Sequence, residues 1–221
     1  MLIWGPSKLV ESRPIVIAVD GPAASGKGTL ARRLAEYFGL RHLDTGSLYR
    51  AVGFKLLKNN SDPADGPLAE AAARDLQEDD LTDPRLREDT TATAASLVAA
   101  QPRVRAVLLA YQRAFAQQLP GAVLDGRDIG TVVCPDATAK IYLDASVEVR
   151  AARRAKELQV EATESIESRV LSDMIERDSR DRKRDVAPLK VADDACVIDT
   201  TGLGPDDVFD RAQAFVSSRR S

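Results

Sequence analysis

The sequence predicts an α/β fold in which helices flank a five-stranded parallel sheet. Short apolar segments, typical of buried strands, alternate with segments whose apolar residues recur every three or four positions, as in amphipathic helices. The predicted strands are residues 15–20, 41–44, 122–125, 139–144 and 195–199. Ligands of such sheets bind outside the carboxyl ends of the strands. Functional residues are therefore expected directly after the strands.

The predicted helices carry apolar stripes that would pack on the sheet. The first helix begins near Gly26, and Gly39 stands where a C-terminal cap belongs. Pro102 opens another, because proline is favourable in a first turn. Further helices are expected near 68–76, 147–158 and 165–184. The stripes are Leu30, Leu34, Tyr37 and Phe38; Leu48, Val52 and Leu56; Val104, Val107, Leu108, Tyr111 and Phe115; Ile166, Val170, Leu171, Met174 and Ile175; and Val208, Phe209, Ala212, Phe215 and Val216.

The composition is that of an ordinary globular protein. The chain has 221 residues, 44% hydrophobic and 29% charged, with a formal net charge of -3. This charge argues against a general nucleic-acid or membrane-surface binder. No apolar run approaches the roughly 20 residues that span a bilayer, and the apolar start of the chain is too short for a signal peptide. We expect a cytoplasmic monomer with no nucleic-acid or membrane partner.

Cysteine and histidine usage excludes several kinds of chemistry. Cys134 and Cys196 have no partner at metal or redox-motif spacing, and each stands in an apolar segment. We expect free thiols that serve as small core residues. His42 is the only histidine, which removes Ser-His-Asp catalysis and multi-histidine zinc sites from consideration.

Residues 21–29, GPAASGKGT, have the features of a phosphate-binding loop. They follow the first strand and open the first helix, whose N-terminus adds unpaired amides and partial positive charge. The glycines let backbone amides turn inward, and Lys27 would reach the outer phosphates. A tight connection is the structural alternative, but the strand, the lysine and the helix start agree. The pattern has Ser or Thr after the lysine; here Gly28 stands there and Thr29 follows.

Two charged segments are candidates for the rest of a site. Asp125 ends the third strand, where a carboxylate could face a metal-bound nucleotide, although strand-end aspartates also cap turns. The neighbouring Arg127 and Asp128 favour a site. The segment 176–185, ERDSRDRKRD, would usually be a solvated helix face. Its helical spacing nevertheless brings four side chains onto one stripe, and arginine suits phosphate oxygens. These are Arg177, Arg180, Asp181 and Arg184.

Six sequence blocks in this order resemble the bacterial cytidylate kinases. They are GPAASGKGT at 21–29, LDTGSLYR at 43–50, AASLVA at 94–99, PRVR at 102–105, DGRDIGTVV at 125–133 and RDSRDRKRDVAPL at 177–189. Each block is weak alone, but the six together are specific. The resemblance runs from about residue 14 to the C-terminal helix.

The resemblance implies transfer of the γ-phosphoryl group of ATP to CMP or dCMP. It implies a phosphate-loop NTPase core with an inserted nucleoside-monophosphate-binding subdomain and a helical lid. The kinase domain would be 14–221 after an extension at 1–13. Its core would be 14–58, 102–150 and 186–221, the insert 59–101 and the lid 151–185.

The resemblance also implies roles for individual residues, carried over from the matching motifs. The ATP phosphates would be held by Gly21, Pro22, Ala23, Ala24, Ser25, Gly26, Lys27, Gly28 and Thr29, with Arg153 near ATP. The CMP phosphate and the transferring group would be bound by Arg50, Arg127, Arg177 and Arg184, of which the last three act with Lys27 as the catalytic cations. Cytosine would be read by Ser96, Arg105 and Asp128. The sugar would be bordered by Thr45, Tyr49 and Asp181.

Two departures from the family pattern have consequences. Gly28 lacks the hydroxyl that ligates magnesium in many phosphate-loop proteins, so we expect Mg²⁺ to be held mainly by phosphates and water, with no protein metal site. Between Arg50 and Ser96 the chain is shorter than the longer family form, which carries a small β-sheet there. We expect this insert to be largely helical and loop.

Alternative functions remain open at this point. Another small-molecule kinase of the same fold, of the UMP, AMP or shikimate type, would be favoured if Ser96, Arg105 and Asp128 did not converge. A nucleotide-dependent switch is less consistent with the sequence, since it has no Asn-Lys-x-Asp base-reading motif.

Overall fold

The computed structural model describes residues 13–157 and 164–220 and contains a parallel sheet in the order β2-β3-β1-β4-β5. Each pair of neighbouring strands is parallel, so helices must connect the strands across the two faces. The predicted strands are confirmed, with ends shifted by at most one residue. The strands are β1 (Ile15–Asp20), β2 (Arg41–Asp44), β3 (Gly121–Gly126), β4 (Ala139–Asp144) and β5 (Cys196–Asp199).

The α-helices lie on both faces of this sheet and beyond its carboxyl edge. They are α1 (Lys27–Phe38), α2 (Thr45–Lys58), α3 (Gly66–Arg74), α4 (Asp89–Val98), α5 (Pro102–Ala116), α6 (Val147–Glu157), α7 (Glu164–Lys183) and α8 (Pro205–Arg219). Short 3-10 helices span Glu78–Leu81 and Pro84–Arg87, and a π-helical turn spans Ile129–Val133. Among the described residues, none of the helices is long and apolar enough to cross a membrane.

The alternation of side chains along β1 builds a core on each face of the sheet. Ile17 and Val19 join α1 and α8 in one core, whereas Val16 and Ala18 join α2 and α5 in the other. These strand residues are buried, as expected for a central strand covered on both faces. The predicted α/β fold, a five-stranded parallel sheet flanked by helices, is confirmed.

Most residues of the predicted apolar stripes are buried or half-buried, but three large side chains are exposed. Tyr37 is 59% exposed and Ile175 is 52% exposed, and Tyr111 is exposed as well. The Tyr37 ring makes edge contacts with Phe38 and with Phe209 of α8, at centroid distances of 4.9 and 5.7 Å, and its hydroxyl accepts from Gln213 at 3.3 Å, so it lies over the outside of the α1–α8 pair. Ile166 lies among residues whose side chains the structure does not describe. Cys134 and Cys196 are free thiols at the margins of the two cores, only partly buried.

The segment between α2 and α5 is helical, as expected from its length. Residues 59–101, all of which have a described backbone, contain α3, α4 and the two 3-10 helices and no strand. The helix expected at 68–76 begins earlier because the carboxylate of Asp65 caps it, accepting from the amide of Leu68 at 3.0 Å, and Pro67 occupies the first turn. The division of the chain into core, insert and lid stays a prediction.

Replacing Gly121 is expected to destabilise the sheet. Gly121 has a φ of +129°, and a Cβ atom there would lie 2.1 Å from the carbonyl oxygen of Ile15. Gly121→Ala should lower the free energy of unfolding by about 2 kcal/mol or more, measured by urea denaturation. Gly202→Ala is the matched control, because a Cβ at Gly202 meets nothing within 4 Å. Equal stability of the two variants would contradict this account of β3.

Candidate active site

A cavity of about 440 Å³ opens at the carboxyl ends of β1, β2 and β3. Its walls come from the loop before α1, the N-terminus of α2, the segment after β3 and residues of α4, α5, α6 and α7. This is the edge at which α/β sheets bind ligands. The cationic side chains that line the cavity are Lys27, Arg32, Arg50, Arg87, Arg105, Arg127, Arg154, Arg177 and Arg184.

The glycine-rich loop between β1 and α1 is held by close packing. A Cβ atom at Gly21 would lie 2.2 Å from the carbonyl oxygen of Leu143, so the packing requires glycine. Gly26 is the N-cap of α1 and is left-handed, with a φ of 94°. The hydroxyl of Thr200 donates to the carbonyl oxygen of Ser25 at 3.1 Å, which ties the loop to the segment after β5. The loop thereby presents the N-terminus of α1 to the cavity.

Positive charge is concentrated and buried in this cavity. The pKa of Lys27 is lowered to about 7, because burial disfavours the charged amine and the guanidinium of Arg127 repels it. Burial and repulsion by Arg127 also lower the pKa of Arg177 to about 10. Within the described residues, Nε of Arg177 and both Nε and Nη2 of Arg184 are buried without a hydrogen-bond partner. Such groups need acceptors, so the cavity fits anionic ligands.

Aspartates position the arginine that follows β3 and an arginine of α5. Asp181 accepts from Nε of Arg127 at 2.9 Å, which joins α7 to the segment after β3. Asp128 forms an ion pair with Arg105 of α5, and both are buried. Burial raises the pKa of Asp128, while the guanidinium of Arg105 opposes that rise. These pairs orient the guanidinium groups and leave a concave surface between them.

Asp20, at the end of β1, anchors the turn that follows Asp128. Its carboxylate accepts from the amides of Ile129 at 2.8 Å and Gly130 at 2.7 Å. Burial raises the pKa of Asp20 to about 7, although the two amide bonds favour the ionised form. Sequence reasoning assigned Asp20 only to the first strand.

Asp125 lines the cavity beside the glycine-rich loop between β1 and α1. It pairs with Nε2 of His42 at 2.8 Å, and burial raises the pKa of its carboxyl. A Cβ atom at Gly28 would lie 3.7 Å from Oδ2 of Asp125. Asp44 is a second carboxylate near Lys27. In 13–157 and 164–220 there is no group of three or more His, Cys, Asp or Glu side chains that could hold a metal ion. Asp44 and Asp125 offer the cavity carboxylate oxygens, the ligand type that Mg²⁺ prefers.

Most of the residues expected to form the site line this one cavity. Among the residues expected to hold the ATP phosphates, these are Ala23, Ala24, Gly26, Lys27, Gly28 and Thr29. Among those expected to bind the nucleoside monophosphate, they are Thr45, Tyr49, Arg50, Ser96, Arg105, Arg127, Asp128, Arg177, Asp181 and Arg184. Gly21, Pro22 and Ser25 do not line the cavity and are buried in the protein interior, where the backbone oxygen of Pro22 accepts from Lys27 Nζ at 2.9 Å.

Arg153 does not line this cavity, and its expected place near ATP stays a prediction. Its guanidinium donates to the hydroxyl and the carbonyl oxygen of Thr200 at 3.0 and 2.7 Å. The next residue, Arg154, lines the cavity instead and pairs with Asp89 of α4 at 2.7 Å. The helical rotation of about 100° per residue separates the two side chains.

Several cavity residues lie outside the predicted set. Besides Asp125, the charged ones are Arg32, Asp44, Arg87, Arg154 and Glu157. Asp44 ends a strand and Arg154 belongs to the arginine-rich segment RAARR at 150–154, so each had a signal in the sequence. Arg87 had none, because its place depends on how the 3-10 helix packs beside α4.

These features define a class of protein. A lysine-bearing glycine loop at the end of β1 faces a second, arginine-rich anion site across one cavity, as in kinases that bring two phosphorylated molecules together. A sequence model of the cytidylate kinase family matches residues 17–218. The chain belongs to this family and is a kinase.

The relatives agree with this assignment over most of the chain. A cytidylate kinase from Paramagnetospirillum magneticum is 57% identical over 208 residues, with 93% of this chain and 99% of the relative covered. Another, from a Methylobacterium species, is 58% identical over 205 residues, with 93% and 98% covered. A crystal structure of an uncharacterized protein from Eubacterium ventriosum shares the fold, with a TM-score of 0.54, 14% identity and coverage of 92% and 99%. The matches do not support a UMP-, AMP- or shikimate-type kinase or a switch.

Nucleotide binding is expected to be coupled to proton uptake by Lys27. Without nucleotide, a pKa of about 7 leaves most Lys27 amines neutral at about pH 8. Phosphates beside the amine favour its charged form and raise that pKa, so ATP binding at about pH 8 should take up about one proton. The uptake should fade as the pH falls below the free-site pKa. Calorimetry in buffers of different ionisation enthalpy measures it.

Lys27→Met is the control for this proton linkage. The variant lacks the titrating amine, so the uptake should disappear while the buried arginines still supply positive charge. Undiminished proton uptake in Lys27→Met would show that another group titrates.

Proposed function

We propose that this cavity is the place at which the γ-phosphoryl group of ATP is transferred to CMP or dCMP, giving ADP and CDP or dCDP. The observation that carries the proposal is that Arg177 and Arg184, which line the cavity together with Lys27, have buried guanidinium N–H groups with no hydrogen-bond partner among the described residues. One cavity thus offers cations to a donor phosphate and to an acceptor phosphate. Family membership supports the choice of substrates.

The donor half of the site is the loop before α1. Its backbone amides and the N-terminus of α1 would bind the ATP phosphates, and Lys27 would contact the outer ones. Mg²⁺ would enter with the phosphates and neutralise charge between them. Asp44 and Asp125 are placed to accept hydrogen bonds from its water ligands, since Gly28 has no hydroxyl to offer.

The acceptor half binds a nucleoside monophosphate. Arg50, Arg127, Arg177 and Arg184 would hold its phosphate, and Thr45, Tyr49 and Asp181 would border the sugar. Ser96, Arg105 and Asp128 line the same cavity and would read the base. Because Arg105 and Asp128 form a pair, the base would meet a carboxylate whose orientation is already fixed.

Catalysis in this arrangement needs cations rather than a general base. The acceptor is already a phosphate anion, and the transition state spreads negative charge over the equatorial oxygens of the transferred group. Lys27, Arg127, Arg177 and Arg184 would stabilise that charge. Their mutual repulsion, seen in the lowered pKa values of Lys27 and Arg177, is relieved when the phosphates bind.

The insert 59–101 and the lid 151–185 would close over the substrates, as the family resemblance implies. Arg154 donates to Asp89 and to the carbonyl oxygen of Arg87, a contact that supports a proposed closure of 151–185 against 59–101 beside the cavity. We further infer a cytoplasmic monomer, for which the free thiols Cys134 and Cys196 fit a reducing compartment.

Lys27→Met is expected to lower kcat by about 100-fold or more, equivalent to about 3 kcal/mol of transition-state stabilisation. The reason is the loss of a cation that contacts the transferring phosphate. Steady-state ADP formation with CMP measures the effect. Lys58→Met, on the exposed end of α2, is the matched control and should keep wild-type turnover. Near-wild-type turnover of purified Lys27→Met would remove Lys27 from the mechanism.

CMP is expected to exceed UMP by at least about 100-fold in kcat/KM, because an unpaired buried polar group costs about 1 to 3 kcal/mol and several groups face the base. The carboxylate of Asp128 can accept from the 4-amino group of cytosine, whereas uracil presents a carbonyl there. Asp128→Asn should weaken this preference, and Asp173→Asn, exposed on α7, should not. Equal use of CMP and UMP by the wild type would exclude this role.

The experiment that tests the function as a whole is acceptor-dependent ADP formation. The purified chain is incubated with ATP and Mg²⁺ and with CMP, dCMP, UMP, AMP or shikimate in turn. ADP should form with CMP and dCMP. Formation of ADP without any acceptor would favour a nucleotide hydrolase or switch, and a preference for AMP or UMP would identify another kinase.

A further inference from the structure

Arg180 is the member of the arginine stripe on α7 that does not line the cavity. Its Nη1 donates to the hydroxyl oxygen of Ser96 at 2.9 Å, and Nη2 pairs with Glu176 one turn away on the same helix. Ser96 itself lines the cavity and is only 6% exposed. Arg180 thus contacts a cavity residue without lining the cavity.

This contact restricts what the Ser96 hydroxyl can do. A guanidinium has only donors and keeps its charge, so the serine oxygen must accept from Arg180 and cannot donate back to it. Among the described residues, no hydrogen bond donated by the Ser96 hydroxyl is found, not even to a backbone carbonyl of α4. The hydroxyl proton is therefore available to the cavity.

We propose that Arg180 is a positioning residue for base specificity, which fixes the hydroxyl of Ser96 as a hydrogen-bond donor to the acceptor base. The inference rests on the proposed function of the cavity. The pyrimidine N3 of cytosine is an acceptor, whereas N3 of uracil carries a hydrogen and is a donor. A hydroxyl whose oxygen already accepts from a cation pairs well with the first and poorly with the second.

The same helix therefore serves both ends of the acceptor. Arg177 on α7 and Arg184 directly after its last turn line the cavity and would bind the phosphate, while Arg180 would act through Ser96 on α4. The ion pair with Glu176 holds the guanidinium so that one of its nitrogens points at α4. A purely structural link between α4 and α7 is the competing explanation.

The test compares Arg180→Met with the matched control Arg182→Met, an exposed residue of the same helix. The ratio of kcat/KM for CMP to that for UMP should fall about tenfold in Arg180→Met, with the KM for ATP changed less than twofold. Arg182→Met should keep both values. Arg180→Lys, which retains a charged donor, should lose less of the ratio than Arg180→Met.

A double-mutant cycle with Ser96→Ala separates positioning from structural support. If Arg180 acts through the Ser96 hydroxyl, adding Arg180→Met to Ser96→Ala should leave the CMP-to-UMP ratio of the single Ser96→Ala variant unchanged. Independent, multiplying effects would overturn the proposal. So would equal losses of kcat/KM for CMP and UMP in Arg180→Met.

Failure of this inference can be told from failure of the proposed function. If the wild type forms ADP with CMP but the ratio is the same in Arg180→Met, only the role of Arg180 is wrong. If the wild type forms no ADP with CMP, the proposed function itself fails, and the inference that rests on it falls too.

Discussion

Mutual repulsion among buried cations is the constraint on which the rest of this structure depends. Burial and the charges of Arg127 and Arg177 lower the pKa of Lys27, and burial and the charge of Arg127 lower the pKa of Arg177. Buried ion pairs offset part of the repulsion, each joining two different elements. They are Arg127 with Asp181, Arg105 with Asp128, and Arg150 with Asp178 at 2.6 Å. Removing one partner of such a pair would leave a buried charge uncompensated and destabilise the fold. The pairs made by Asp181 and Asp178 therefore hold α7 against the segment after β3 and against α6.

Much of the fold and the donor half of the site could be predicted from local sequence. Strand length, apolar periodicity and the glycines of residues 21–29 are local signals, and the parallel sheet with its loop at the end of β1 follows from them. Spacing also identified Arg177, Asp181 and Arg184 as one stripe. All three line the cavity.

The features that could not be predicted are side-chain positions that depend on which element each helix face packs against. Arg153 and Arg154 are adjacent in one basic cluster, yet one binds the segment after β5 and the other lines the cavity, because the rotation of α6 is set by its packing on α7. Tyr37 fits a helical stripe but is 59% exposed, because it lies over Phe209 at the surface of α8 rather than beneath it. Arg180 shares the stripe of Arg177 yet binds Ser96, a contact 84 positions away in the sequence.

The carboxylate of Asp20 links the two halves of the site through the central strand. β1 leads into the loop that carries Lys27, and the same strand's last residue holds the amides of Ile129 and Gly130, next to Asp128. In the proposed function, the distance between the loop that would bind the donor phosphates and the carboxylate that would read the base is therefore fixed by the central strand. The peripheral helices, rather than the sheet, would adjust to an incoming nucleotide. The distance between the two ends of its binding site would stay constant.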